Sequence, residues 1–307
     1  MSFDAKDFPD PRTVLLPSRA FLRSFAAQNL PAREAALDDA VAHFEEAAAR
    51  EDLGWRDMAL LGVIGEAMQL LEDLAYIGTA YEKPLRGIAN YVTATVYTDR
   101  TPNNFYSSLK KWDDTRLKVL LGLYGYHPET HEPVPLYSAP GLHERLEPED
   151  IEAIQEAERA TVAHLRPILL HLAHEWEQYR RYYHAFKHGG LIINRNDVEL
   201  VDKCDVARIA SISVWLRKEE GTGHGDTTLR AEEVVDQVTR SARWALRVAR
   251  YLVDARLRSF ESIEFAKDGS IASVDTRALP FMFRFPPEQV SEATRERLRE
   301  RFGIEPA

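Results

Sequence analysis

The sequence contains a single cysteine, Cys204. One thiol cannot form an intramolecular disulfide or a thiolate metal cluster, so we expect a structural residue in a reducing compartment. No stretch approaches the roughly 18 uninterrupted apolar residues of a membrane span. The N-terminal residues Met1 to Asp4 also lack the basic and apolar regions of a signal peptide. The sequence therefore predicts a soluble, cytoplasmic protein without a membrane anchor.

Several short motifs that are common in enzymes are missing as well. The chain has no Gly-x-Ser-x-Gly elbow, Walker loop, dinucleotide fingerprint or His-Glu-x-x-His. Interpretations as a common hydrolase, NTPase, Rossmann enzyme or zincin therefore lack support, and no cofactor is predicted. The formal net charge of −10 disfavours a general attraction to nucleic acid or to anionic membrane. Local basic stripes can still bind phosphate.

The composition and the hydrophobic pattern predict an ordered, mainly helical protein. Hydrophobic residues make up 45% and charged residues 29% of the 307 residues, as in ordinary globular chains. Apolar spacings of three and four predict helices over residues 31–50, 55–81, 148–188, 229–260 and 287–302. Shorter helices are expected after an Asn103 or Asn104 cap and from about Asp114, whereas residues 88–97 are open between strand and helix. Residues 126–148 are expected to form a loop, and Pro167 to kink or divide its helix.

A change of pattern predicts a small β-containing insertion. Residues 210–217 alternate between apolar and polar positions, as in an antiparallel strand, and Gly221 to Gly225 are expected to form a flexible loop before a possible Thr227 cap. Lys267 to Ser270 predict a hairpin turn near the C terminus. The predicted fold is thus a helical bundle (1–190), an antiparallel insertion (191–230) and a final segment (231–307) with a long helix, a hairpin and a C-terminal helix. All three are expected to form one compact unit.

The most specific functional feature lies at the end of the 148–188 helix. Arg181 and His188 are seven residues apart, about 700° around a helix, so their directions differ by only about 20°. Arg180 and His184, at i and i+4, lie on the adjacent flank. One arginine forms a bidentate contact with phosphate oxygens, and histidine accepts and donates protons near neutral pH. The segment therefore suits metal-independent phosphodiester cleavage through a ribose 2′-hydroxyl, although basic residues are also common at helix ends because they complement the dipole.

This segment resembles the active-site helix of the HEPN superfamily, which includes helical ribonucleases, toxins and defence proteins. The family motif is an arginine, four to six residues, then a histidine, and Arg181 to His188 leaves six between. Tyr182 stands where the family commonly has a small polar residue. The resemblance implies that Arg181 and His188 are the cleavage pair, with Arg180 and His184 assisting. It also implies a homodimer with a composite site that acts on RNA.

A second basic feature lies on the 229–260 helix. Its arginines are spaced three, four and three apart, which places them along one flank: Arg240, Arg243, Arg247 and Arg250. Such a stripe is suited to following an RNA backbone. The alternative is a solvated surface balanced by neighbouring carboxylates.

Two further functions stay open from the sequence. The first alternative is a non-catalytic helical protein that uses the same surface for dimerisation or for a partner. A metal-dependent enzyme is the other alternative, because histidine and carboxylate ligands suit zinc or iron and cluster on one helix at His164, His171, His174 and Glu175. The expected function is an HEPN-like endoribonuclease that uses no metal.

Overall fold

The computed structural model describes residues 18–50, 53–81, 101–187, 192–194, 209–218, 221–265, 270–275 and 279–304. The chain divides into two compact units. Unit 1 comprises Met1–Gln28, Ala75–Leu170 and Val248–Ala307, and unit 2 comprises Asn29–Leu74 and His171–Arg247. The prediction for residues 88–97 lies outside the described residues.

The first part of the chain is helical. Helix α1 spans Ser18–Ser24 and continues as a π-helical turn over Phe25–Asn29, and α2 spans Leu30–Ala49. Helix α3 spans Leu53–Tyr81. Its apolar residues cover most of the circumference, and nearly all are buried, as expected of a central helix. Helices α4 and α5 span Thr101–Leu109 and Asp114–Leu120. The predicted start of α4 at Asn103 or Asn104 is wrong, because Thr101 and Pro102 already belong to its first turn.

The middle of the chain contains short elements and then the longest helix. Strands β1 (Tyr124–Tyr126) and β2 (Pro133–Pro135) pair antiparallel where a loop is predicted. Two 3-10 turns follow at Leu136–Ser138 and His143–Arg145. Helix α6 spans Pro148–Lys187 over 40 residues with Pro167 inside it, so the proline does not divide it into two helices.

The β insertion is a three-stranded antiparallel sheet. Strands β3 (Ile192–Asn194), β4 (Ile209–Lys218) and β5 (Gly221–Arg230) follow in that order across the sheet. The alternation over residues 210–217 therefore predicted β4 correctly. The expectation of a loop over Gly221 to Gly225 and a cap at Thr227 is wrong, because these residues lie in β5. Gly225 pairs with Val214, and Thr227 pairs with Ile212.

The C-terminal part has the predicted order of elements. Helix α7 spans Ala231–Ser262, and β6 (Ile263–Phe265) pairs antiparallel with β7 (Ile271–Val274). A 3-10 turn at Pro287–Gln289 precedes α8, which spans Glu292–Phe302. The Ser291 side chain caps α8 by accepting from the amide of Thr294, and Gly303 ends it in the left-handed conformation with φ of 62°.

Each unit has its own apolar core. In unit 2, the largest fully buried side chains include Trp176 and Tyr179 from α6 and Leu60 from α3. In unit 1, Tyr106, Tyr251, Phe281 and Phe285 are buried to a similar degree. The protein is mainly helical, a bundle with a small antiparallel insertion and a C-terminal hairpin, as the sequence predicted. Among the described helices, none is both long and apolar enough to cross a bilayer.

Candidate functional site

The last turns of α6 carry the predicted arginines. Arg181 is exposed, whereas Arg180 is half-buried and the neighbouring Tyr182 is buried. Within the described parts of the chain, no carboxylate or other partner contacts Arg181. The guanidinium of Arg181 is therefore exposed and unpaired among the described residues. His188, which sequence analysis paired with Arg181, lies outside the described residues, as do Gly189 and Gly190.

His184 lies among aromatic rings one helical turn from Arg180. Its imidazole meets the Trp176 ring at 6.1 Å and 86°, edge to face. It also lies 5.8 Å from the Tyr183 ring at 47°. These contacts leave His184 half-buried. The aromatic contacts restrict the orientation of the imidazole. The helical spacing of Arg180 and His184 did not predict this restriction.

The end of α6 is tied to α3 by a buried carboxylate. Lys187 Nζ donates to both oxygens of Glu72, at 3.0 Å and 2.8 Å. The Glu72 side chain is only 4% exposed, whereas that of Lys187 is 38% exposed. The bidentate contact holds the last described residue of α6, which directly precedes His188 in the sequence, and compensates the buried charge of Glu72.

Tyr183 and Gln69 extend this contact into a polar network. The Tyr183 hydroxyl donates to Glu72 Oε2 and lies 2.8 Å from Gln69 Oε1. Gln69 Nε2 donates to Asp73 Oδ1 at 3.0 Å, and Arg33 Nε donates to Asp73 Oδ2 at 2.8 Å. Burial, together with the hydrogen bond to Glu72, raises the pKa of Tyr183. Tyr183 is therefore a neutral hydrogen-bond donor at neutral pH.

Sequence analysis missed the Glu72 network. Its sequence signal is the adjacent pair Glu72 and Asp73 in the second half of a mostly apolar helix. A carboxylate in such a helix is buried at a cost unless it is paired, so it predicts a cationic partner. The sequence does not say which of the many cations that partner is. In the structure it is Lys187, 115 residues further along the chain.

The second basic feature is an exposed flank of α7. Arg240, Arg243 and Arg247 are exposed, and Arg250 is half-buried. Arg243 Nη2 lies 3.3 Å from Asp38 Oδ1, but both side chains are more than half exposed, so this ion pair contributes little to stability. Arg240, Arg243 and Arg247 thus form an exposed row of guanidiniums on the surface of unit 2.

His171 and Glu175 belong to a different polar cluster in unit 2. His171 Nε2 lies 2.9 Å from Ser241 Oγ and 3.9 Å from Glu175 Oε1. Glu175 Oε1 also accepts from Gln237 Nε2 at 2.7 Å. A hydrolytic triad needs serine and carboxylate on opposite ring nitrogens, whereas both contact Nε2 here. Ser241 is also only 1% exposed, so this arrangement does not present a nucleophile.

The other two histidines of the metal alternative have different surroundings. His174 is exposed on α6. His164 is half-buried, and burial together with the nearby charge of Arg284 lowers its pKa. Within the described ranges, no three His, Cys, Asp or Glu side chains lie close enough together to hold a metal ion.

Comparisons with known proteins give no family for this chain. No protein-family profile matches it. Neither a curated protein sequence nor a solved structure is significantly similar to it.

Proposed function

We propose that this protein is an HEPN-like, metal-independent endoribonuclease that acts at the end of α6. In this proposal Arg181 binds the scissile phosphate and His188 transfers protons. Arg180 and His184 assist from the adjacent flank. The RNA lies along the basic surface of unit 2.

The observation that carries the proposal is the guanidinium of Arg181, exposed and unpaired among the described residues, on a helix end that is otherwise fixed. A helix C terminus carries partial negative charge and repels an anion, so phosphate binding there needs added positive charge. Glu72 neutralises Lys187, so the positive charge for a ligand has to come from Arg181. Arg181 therefore has the exposure and the chemistry of a phosphate contact.

The reaction follows from these groups. A histidine accepts the proton of the ribose 2′-hydroxyl, and the 2′-oxygen attacks the adjacent phosphorus. The bond from phosphorus to the 5′-oxygen breaks, and this oxygen takes up a proton from a second acid. Arg181 stabilises the negative charge that develops on the phosphoryl oxygens. The products are a 2′,3′-cyclic phosphate and a 5′-hydroxyl, and no metal takes part.

The need for both a base and an acid favours a homodimer. Two copies of the α6 end in one composite site supply two histidines, one to accept a proton and one to donate it. Arg240, Arg243 and Arg247 give unit 2 a second basic surface, which suits contacts to phosphates remote from the cleaved bond.

An RNA-cleavage assay in EDTA tests the proposal. The parent protein, Arg181→Ala and His188→Ala are incubated with a set of single-stranded and structured RNAs. We expect the parent to cleave and each variant to lose at least ~100-fold in rate, as expected when one group that acts only on the transition state is removed. Arg159→Ala is the matched control, because Arg159 is another exposed arginine on α6.

Equal cleavage by parent and variants would reject the assigned residues. A parent that cleaves none of the RNAs would reject the enzyme and leave the non-catalytic alternative, in which the same surface serves dimerisation or a partner. Sedimentation of the parent and of Arg181→Ala then distinguishes these two roles, because loss of a dimer in the variant identifies the dimer interface.

A further inference from the structure

Arg256, on α7 in unit 1, has an unusual environment for an arginine. The residue is half-buried, and its Nε is enclosed without a hydrogen-bond partner among the described residues. Its guanidinium carbon lies 4.4 Å from the centre of the Tyr81 ring. Burial lowers the pKa of Arg256, because it withdraws the charged guanidinium from water. A cation–π contact is weaker than the penalty for withdrawing a guanidinium from water, so the ring alone does not compensate this charge.

No carboxylate compensates Arg256 within the described parts of the chain. The groups that interact electrostatically with it are the phenols of Tyr81 and Tyr126, which are neutral at pH 7. Asp254, two residues earlier on the same helix, is exposed, and it interacts electrostatically with Arg250 and with Tyr81 rather than with Arg256. Native proteins rarely withdraw a cation from water, even in part, without a counter-charge, so Arg256 indicates an anion that comes from outside the chain.

Tyr81 supplies a second, independent indication. It is 3% exposed, and its hydroxyl has no hydrogen-bond partner in the part of the chain that the structure describes. Burial raises its pKa, so the phenol carries its proton and is a donor at neutral pH. Buried donors without acceptors are rare in folded proteins. The contact between the guanidinium and the ring places two unsatisfied donors on neighbouring groups.

We propose that Arg256 and Tyr81 form a binding site for a small oxyanion, namely the carboxylate or phosphate group of a ligand. An oxyanion accepts hydrogen bonds from Nε and from the phenol, and it neutralises the guanidinium as well. A water molecule can accept these hydrogen bonds, but it does not neutralise the guanidinium. Part of Arg256 stays accessible to solvent, so the anion reaches the guanidinium from that side, and the enclosed Nε and Tyr81 hydroxyl turn towards it on binding. This site is independent of Arg181 and of the proposed cleavage reaction.

Thermal unfolding of the full chain tests the site. Inorganic phosphate and acetate are titrated separately, with sodium chloride holding the ionic strength constant. We expect a saturable rise in Tm of roughly 2 °C at about ten times Kd. A response to acetate as well as phosphate assigns the site to carboxylates in general, and a response to phosphate alone assigns it to phosphate groups.

Two variants and one control make the test specific. Arg256→Met should abolish the rise in Tm and, because it removes an uncompensated buried charge, should not lower Tm in chloride alone. Tyr81→Phe keeps the ring and should weaken oxyanion binding roughly tenfold or more. Arg258→Met, an exposed neighbour on α7, should keep the full response.

Absence of a saturable response in both titrations would overturn the proposal. So would an undiminished response in Tyr81→Phe, which decides the matter if Arg256→Met does not fold. Retention of the response by Arg258→Met and its weakening in Tyr81→Phe support the site whatever the outcome of the RNA-cleavage assay.

Discussion

Glu158 on α6 gives a pH-dependent stability that can be calculated from its surroundings. The residue has no exposed surface, and its Oε2 accepts from Lys118 Nζ at 3.1 Å. Its Oε1 is buried without a partner among the described residues. Burial raises the pKa of Glu158 from 4.5 to about 7, although the charges of Lys118 and Arg159 act in the opposite direction. Burial thus outweighs the ion pair.

The unfolded protein ionises Glu158 near pH 4.5, whereas the folded protein keeps its proton until about pH 7. The stability that this proton contributes is therefore complete below pH 4.5 and is lost as the pH rises through 7. The difference between the two pKa values corresponds to about 3 kcal/mol of unfolding free energy. Roughly 2.5 kcal/mol of it is lost between about pH 5 and about pH 8.

Glu158→Gln removes this titration and keeps the shape of the side chain. Urea unfolding at about pH 5 and about pH 8 gives the unfolding free energies of parent and variant. From the lower to the higher pH, we expect the unfolding free energy of the parent to fall by roughly 2.5 kcal/mol relative to that of the variant. Burial lowers the pKa of Lys118, but the charge and hydrogen bond of Glu158 raise it by more. The pKa of Lys118 is therefore raised overall, and Lys118 stays charged across this pH range.

Glu152→Gln, an exposed position on the same helix, is the control and should show no such change. The reasoning is refuted if the difference between parent and Glu158→Gln is constant with pH. It is also refuted if the parent gains stability relative to the variant as the pH rises, because the ion pair would then outweigh burial.

Two further changes test the contacts that hold the helix ends. Glu72→Gln removes the charge that pairs with Lys187, and we expect it to lower the unfolding free energy in urea by about 1–3 kcal/mol. Glu66→Gln on the same helix is the control and should change the unfolding free energy little. Equal effects of the two variants would contradict a stabilising role of the pair between Glu72 and Lys187. Ser291→Ala removes the N-cap of α8 and the hydrogen bond that the Ser291 hydroxyl donates to Glu156. Thermal unfolding should therefore show a loss of about 1 kcal/mol, and an unchanged Tm would exclude a capping role.

The long helices could be predicted because local sequence determines them. The apolar pattern of α3 and the spacing of Leu172, Trp176 and Tyr183 on α6 require burial of one face or more, and only a helix places those residues together. Pro167 was harder to interpret. It removes one backbone hydrogen bond, and the loss is tolerated within a helix of 40 residues.

Strand β5 could not be predicted because its structure depends on a partner. Gly221, Gly223 and Gly225 have low strand propensity and suggest a loop when considered alone. In the sheet they pair with Lys218, Leu216 and Val214 of β4. The backbone hydrogen bonds of that pairing are available to glycine, and propensity does not report them.

The candidate site was predictable only in its local part. Helical periodicity places Arg180, Arg181 and His184 on neighbouring flanks, and the structure leaves Arg181 exposed. The aromatic contacts of His184 and the pairing of Lys187 with Glu72 depend on tertiary packing. Spacing along one helix carries no information about them.

The most direct measurement of the central claim is the mass of the RNA fragments that the protein produces in EDTA. Attack by the 2′-oxygen predicts fragments that end in a 2′,3′-cyclic phosphate and begin with a 5′-hydroxyl, and no cut where the substrate carries a single 2′-deoxy nucleotide at the cleavage site. Fragments with 3′-hydroxyl and 5′-phosphate ends, cleavage at the 2′-deoxy position, or intact RNA would contradict it.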